Sequence, residues 1–269
     1  QKLGAPKFDV VIADEAHHCA GKIDRDFARV LDAEKIRSDK RLFMTATPKY
    51  VAKRLRKESE YYDVELASMD DEDHFGPSFH TLNFGEAINR ELLSDYRVVV
   101  NVITEKDAEN MIKKRSLVSV GELQSDAESI ALMTSFIQVI EENNLSHIIT
   151  FHNKIEQAKQ LAQGLNVLFP RIHENKRPSI NHISGNMPTK ERAGLLQRFR
   201  DADSGINILS NAKCLTEGVD VRAIDGIAFF EAKKSQIDIL QAVGRAIRKN
   251  KEDKVGTIFI PIYIPENEI

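Results

Sequence analysis

The chain has 269 residues, 42% hydrophobic and 29% charged, with a formal net charge of −3. That is enough chain for two domains of ordinary size, and the balance excludes both a wholly disordered protein and a generally basic one. No run of about eighteen apolar residues is present, which excludes a membrane-spanning helix, and Cys19 and Cys214 are too few for a disulfide framework or a zinc cluster.

Taken in chain order, "FDVVIAD" predicts the first strand, followed by a helical pattern over Asp24 to Leu31. "RLFMTAT" predicts a second strand, with a helix over Lys49 to Lys57 after it. "SMDDEDHFGP", residues 68–77, is acidic and then broken by Gly and Pro, which marks a loop. "RVVVNVIT" reads as a bridging strand, and the polar, poorly periodic residues 105–124 read as a linker.

Beyond it, strands are predicted at "HIITFHN", "INHIS", "GINILSN", "GIAFFEA" and "GTIFIPIYI", with helices over Ser125 to Glu142, Lys154 to Leu165, Lys190 to Arg200 and Gln236 to Arg248. The runs are continuous in Val, Ile and Phe, the pattern of strands buried on both faces. Strands alternating with helices imply an α/β fold with parallel sheets covered by helices. The expected domains are 1–104 and 125–269. The first has too few strands to close a sheet, so it is expected to be only partial, with further chain before Gln1. The opening "QKLGAPKFD" has no signal-peptide pattern, and a reduced, cytoplasmic setting is expected.

Chemistry concentrates at strand ends, where ligands of open α/β sheets gather. "DEAH" places Asp14 and Glu15 at the end of the first strand. Two acids there suit a Mg²⁺ site and a base for water, or alternatively a cap on the following turn. Thirty-one residues after Asp14 comes Thr45, in "MTATP", with Thr47 beside it; small hydroxyls at a neighbouring strand end can hydrogen-bond to the acids. "LTEGVDV" sets Thr216, Gly218 and Asp220 in a loop after a strand. "QAVGRAIRKN" carries Gln241, Arg245 and Arg248; the two arginines share a helix face and converge either on an anion or on solvent.

In this order, "DEAH", "TAT", "LTEGVDV" and "QAVGRAIR" resemble motifs II, III, V and VI of the superfamily 2 helicases and translocases, the DEAD/DEAH-box ATPases. The resemblance spans nearly the whole chain. It implies two RecA-like domains, ATP and Mg²⁺ as cofactors, and movement on nucleic acid. Asp14 would hold the metal, Glu15 would activate water, and His17 would bridge toward Gln241. Arg245 and Arg248 would be arginine fingers, and Gly218 and Asp220 nucleotide contacts. Thr45 and Thr47 would couple nucleotide state to nucleic-acid grip, with Thr216 on the nucleic-acid backbone. Phe151, His152 and Asn153 resemble motif IV, and Ser184 and Gly185 the backbone-contacting motif after it.

The phosphate loop "GxxxxGK[ST]" is missing from these residues, so the chain alone is expected to bind ATP poorly and to turn it over negligibly. Residues 82–100 and the ending "GRAIRKNKEDKVGTIFIPIYI" resemble the branch containing type I and single-polypeptide restriction enzymes. This implies DNA in preference to RNA as partner, with nuclease or methylase domains or subunits outside the chain. Three basic groups are candidate backbone contacts: Lys49, Lys53, Arg54 and Lys57; Lys113, Lys114 and Arg115; Lys190 and Arg192. The plainer reading of each, an ordinary solvated helix face, is favoured. Two competing functions are a non-hydrolysing nucleic-acid-binding module and an RNA helicase-like remodeller.

Overall fold

Two stretches of the chain build separate sheets, and a computed structural model of the protein divides them into units of residues 1–82 and 83–269. It describes residues 6–52, 54–56, 59, 62, 64–114, 127–173, 176–202, 204–212, 224–231, 239, 242–244 and 255–266.

In the first unit β1 (Phe8–Ala13) pairs in parallel with β3 (Ser38–Phe43), and the short β2 (Gly21–Lys22) pairs antiparallel with β4 (Leu66–Ala67). Single 3₁₀ turns, Ala16–Cys19 and Asp26–Leu31, follow β1 and β2, where a longer helix is expected for the second. Helix α1 (Glu72–Phe75) ends the unit, its first N–H groups capped by the Asp71 side chain.

Helix α2 (Phe84–Asn89) opens the second unit, capped by Asn83. There follow β5 (Tyr96–Thr104), α3 (Glu105–Lys114), α4 (Ala127–Glu142), β6 (His147–His152) and α5 (Ile155–Ile172). Then come β7 (Ser179–Ser184), α6 (Thr189–Arg200), β8 (Asn207–Ala212), β9 (Gly226–Phe229) and β10 (Gly256–Ile264). The six strands form one sheet in the order β5-β10-β9-β6-β8-β7, every neighbouring pair parallel. This is the α/β fold with a helix-flanked parallel sheet that the alternating pattern predicts.

The period of two along each strand divides the core between the sheet's faces. Ile148, Ile208, Ala228 and Phe259 pack on one side with Phe136, Ile140 and Leu165 from α4 and α5. Their chain neighbours Ile149, Leu209, Ile227 and Ile258 pack on the other with Phe151, Ile183 and Phe199.

Three expectations are corrected. "RVVVNVIT" does not close the first domain: β5 lies beside β10 over nine residue pairs of the second sheet, so the division falls after Leu82 rather than at 104. The expected linker begins as α3, held by Ala108 and Met111 against Ala131 and Leu132 of α4. Burial on both faces holds for β6, β8 and β9 but not for β1, where Phe8, Val10 and Ile12 are 46–59% exposed. Among the described residues β1 has a single strand neighbour, and β5, at the sheet edge, exposes Val98, Val100 and Val102 for the same reason.

Candidate functional site

The first unit gathers five of the residues singled out in the sequence. Parallel pairing brings the carboxyl ends of β1 and β3 side by side, with Ile12 opposite Leu42 and Ala13 opposite Phe43. The pairing then continues past both strands: the Met44 N–H donates to the Ala13 carbonyl, and the Ala16 N–H to that of Met44, each at 2.9 Å. Asp14 and Glu15 emerge on one side of this junction and Thr45 and Thr47 on the other.

Glu15 turns the chain. Its φ of 49° and ψ of 43° are left-handed, a conformation that costs a side-chain-bearing residue about 1–2 kcal/mol. The turn is supported by the Glu15 N–H donating to Asp14 Oδ1 at 2.9 Å. It leaves Asp14 exposed and the Glu15 side chain 42% exposed. Strain of this kind collects where a side chain must be aimed.

His17, only 4% exposed, joins the two sides. Its Nδ1 lies 3.0 Å from Thr45 Oγ1, 3.4 Å from Glu15 Oε2 and 3.5 Å from Thr47 Oγ1. Thr45 Oγ1 also accepts from the Thr47 N–H at 3.1 Å. The Glu15 carboxylate is thereby linked through one buried imidazole to the hydroxyls of the next strand. The Asp14 and Glu15 carboxylates are oxygen donors of the type that Mg²⁺ takes.

In the second unit, Phe151 is buried in the core and stacked on Phe229, with ring centroids 5.5 Å apart. His152 is buried, its Nδ1 donating to Glu231 Oε1 at 3.0 Å, while Asn153 is exposed and gives its backbone N–H to Glu231 Oε2 at 2.6 Å. Ser184 is buried at the end of β7, and Gly185 is exposed in the turn after it. Glu231 escapes sequence reasoning; a carboxylate just past an apolar strand, in "AFFEA", is its one signal. Beside it a cavity of about 390 Å³ is lined by residues including Glu128, Met133, Gln157, Phe230 and Glu231.

Thr216, Gly218, Asp220, Gln241, Arg245 and Arg248 lie outside the described residues, as do Lys53, Lys57 and Arg115 and the side chains of Lys113 and Lys114. Of the other basic candidates, Lys49 donates through Nζ to the Ala20 carbonyl at 3.1 Å, Lys190 is exposed and Arg192 half-buried. Among the described residues no cluster of three or more metal-ligating side chains is found, and no helix is long and apolar enough to cross a membrane. Cys19 is buried, which pushes its thiol pKa up.

Comparison with known proteins bears on both units. Residues 1–50 match the family "Type III restriction enzyme, res subunit", and residues 128–250 match "Helicase conserved C-terminal domain". With the α/β fold, these two matches mark the chain as similar to helicase-family sequences and to the res subunits of restriction enzymes, one over each unit.

Among individual relatives, a "Probable helicase" of African swine fever virus is 26% identical over 262 residues, covering 96% of this chain and 26% of its own length. A solved structure, "ATP-dependent Type ISP restriction-modification enzyme LlaBIII bound to DNA", is similar over 100% of this chain and 19% of that one, with 29% identity and a TM-score of 0.79. A nuclease-deletion mutant of the Type ISP enzyme LlaGI, in complex with a DNA substrate mimic, is 26% identical, with a TM-score of 0.59 and coverage of 99% and 16%. The chain thus spans about a quarter of the length of that viral relative and less of the two enzymes.

Proposed function

We propose that the chain is part of an ATP-dependent DNA translocase or helicase motor related to restriction-modification enzymes. The observation that carries this reading is the junction of β1 and β3, where a strained turn presents Asp14 and Glu15 and His17 lies between Glu15 and Thr45. Asp14 would hold Mg²⁺, which when bound supplies positive charge to the phosphates. Glu15 orients the attacking water and takes its proton. His17 holds the turn against Thr45, so a change in what the acids carry is felt at the end of β3. Arg245 and Arg248 stabilise charge developing on the transferred phosphoryl group; an arginine in this role is worth about 10³–10⁵ in turnover. Gln241, Gly218 and Asp220 complete the nucleotide contacts, while Thr216, Asn153 and Gly185 face the nucleic-acid backbone.

DNA is the favoured partner because two of the similar structures hold DNA or a DNA mimic. Hydrolysis is assigned to the full-length protein. The 269 residues alone, which contain no "GxxxxGK[ST]" loop, are proposed to turn ATP over negligibly.

The test is Glu15→Gln in the full-length protein, assayed for ATP binding and for phosphate release with duplex DNA and with RNA. Binding is expected to persist while DNA-stimulated release falls at least about 10²-fold, as for loss of a general base. Undiminished release would remove Glu15 from the chemistry. Stimulation by RNA alone would transfer the motor to RNA, and ATP-independent DNA binding with no turnover in the wild type would favour a pure binding module.

A further inference from the structure

A buried polar chain crosses the carboxyl ends of β8, β6 and β9. Ser210 Oγ lies 3.0 Å from Thr150 Oγ1, which lies 3.0 Å from His152 Nε2. His152 Nδ1 lies 3.0 Å from Glu231 Oε1, and Glu231 Oε2 accepts the Asn153 N–H at 2.6 Å. Strand register permits this: Thr150 stands opposite Ser210, and Phe151 opposite Phe229, so the chain leaving β9 passes beside the end of β6. The His152 ring also stacks on Phe230, with centroids 5.7 Å apart and planes 20° from parallel.

Both ring nitrogens of His152 are engaged inside the protein, and the side chain is 2% exposed. An imidazole so placed is not available to a phosphate backbone. Burying an imidazole beside a half-buried carboxylate has a desolvation cost that an apolar pair would avoid, so the arrangement contributes direction rather than simple cohesion. A hydrogen-bonded imidazole and carboxylate fix a distance and an angle, which Leu against Leu does not. What they fix is the turn at Phe230 and Glu231. Gln241 follows Glu231 by ten residues in the sequence, with Arg245 and Arg248 beyond it.

We propose that His152 is a positioning residue: through Glu231 it anchors the exit of the chain from β9 to the end of β6, giving the segment that carries Gln241, Arg245 and Arg248 a fixed starting point, and it makes no contact with nucleic acid itself. The effect on turnover rests on the ATPase reading above. The anchoring does not.

The experiment compares His152→Phe, which keeps a flat ring and loses both nitrogens, with His152→Asn, whose amide N–H₂ can replace the Nδ1 donor, in the full-length protein. In the Phe variant, amide hydrogen exchange at Asn153, Phe230 and Glu231 is expected to quicken about tenfold, equivalent to about 1.4 kcal/mol of lost local protection, with β7 unchanged. DNA-stimulated kcat is expected to fall about tenfold, while KM for ATP and Kd for duplex DNA stay within about twofold. The Asn variant should recover most of both.

Weakened DNA binding with a shallower salt dependence would make His152 a direct contact and overturn the proposal. An Asn variant no better than Phe, or faster exchange throughout the sheet, would reduce His152 to packing and overturn it equally. Where the Phe variant fails to fold, Glu231→Leu is the second test: it removes the acceptors for both the His152 Nδ1–H and the Asn153 N–H. It must show the same local exchange and kcat loss, or the anchor is refuted. A wild type with no ATP turnover would sink the ATPase reading, and the exchange measurements alone would then decide the anchor.

Discussion

Asp225 offers the sharpest energetic test of the second sheet. Half-buried before β9, it accepts three hydrogen bonds from the entrance of β6: Ser146 N–H at 2.9 Å, Ser146 O–H at 2.5 Å and His147 N–H at 2.8 Å. Its own N–H donates to the His147 carbonyl at 3.0 Å. Each bond to a charged acceptor contributes about 1.5–3 kcal/mol. Replacing Asp225 by Ala removes all three acceptor contacts and strands two backbone N–H groups at a site water reaches only partly. The expected loss is about 3–5 kcal/mol, allowing for partial rehydration. Against a domain stability of about 5–15 kcal/mol this is a large fraction. The assay is urea unfolding followed by far-ultraviolet circular dichroism, suited to a chain without tryptophan. Asp201→Ala serves as control, because that exposed carboxylate takes only one surface side-chain contact in the described structure, from Gln197, and its loss should stay within about 0.5 kcal/mol. An Asp225→Ala variant within about 1 kcal/mol of wild type would refute the reasoning.

Two further outcomes follow from the first unit. Thr45→Val keeps the shape and removes the oxygen shared by His17 Nδ1 and the Thr47 N–H. It is expected to lower stability by about 1–3 kcal/mol and to bring DNA-stimulated ATP turnover in the full-length protein down toward the unstimulated rate; full stimulation would cut the proposed link between the strands. Asp70 is held by the Arg56 guanidinium, at 2.6 and 2.7 Å, and by the Ser68 hydroxyl, which bring its pKa from 3.8 to about 2. A carboxylate lowered on folding adds stability above its unfolded value and loses it as pH falls toward its folded one. The thermal midpoint advantage of wild type over Asp70→Asn should therefore shrink as pH falls from 3.8 to about 2, and an advantage constant over that window would contradict the pairing.

The parts of the fold legible in the sequence are those where a strand is flanked on both sides. "HIITFH" and "NILSNA" are apolar enough to show burial on both faces, and the structure buries every residue of each. "FDVVIA" and "YRVVVNVIT" are more apolar still and yet less buried, because composition cannot count the neighbours a strand will find. For that reason the unit boundary was misplaced: nothing in "RVVVNVIT" names β10 as its partner. Helix α3 hides in a polar run: among its described side chains, Ala108 and Met111 are the hydrophobic ones packed against α4. At the candidate site, "DEAH" and "TAT" mark residues that the structure brings together around His17, a convergence that follows from parallel register. The left-handed turn at Glu15 is invisible in advance, since no glycine announces it. His152 was legible as a strand-end residue but not as an internally bonded one; its partner Glu231 lies 79 positions away.

The pairing of β5 with β10 sets an order on the making of this unit. Tyr96 aligns with Gly256 and Thr104 with Ile264, so one margin of the sheet joins segments 160 positions apart. A nascent chain therefore cannot complete that margin until translation has almost reached residue 269. Until then the valines of β5 wait without their hydrogen-bonding neighbour, exposed to whatever other strand they meet.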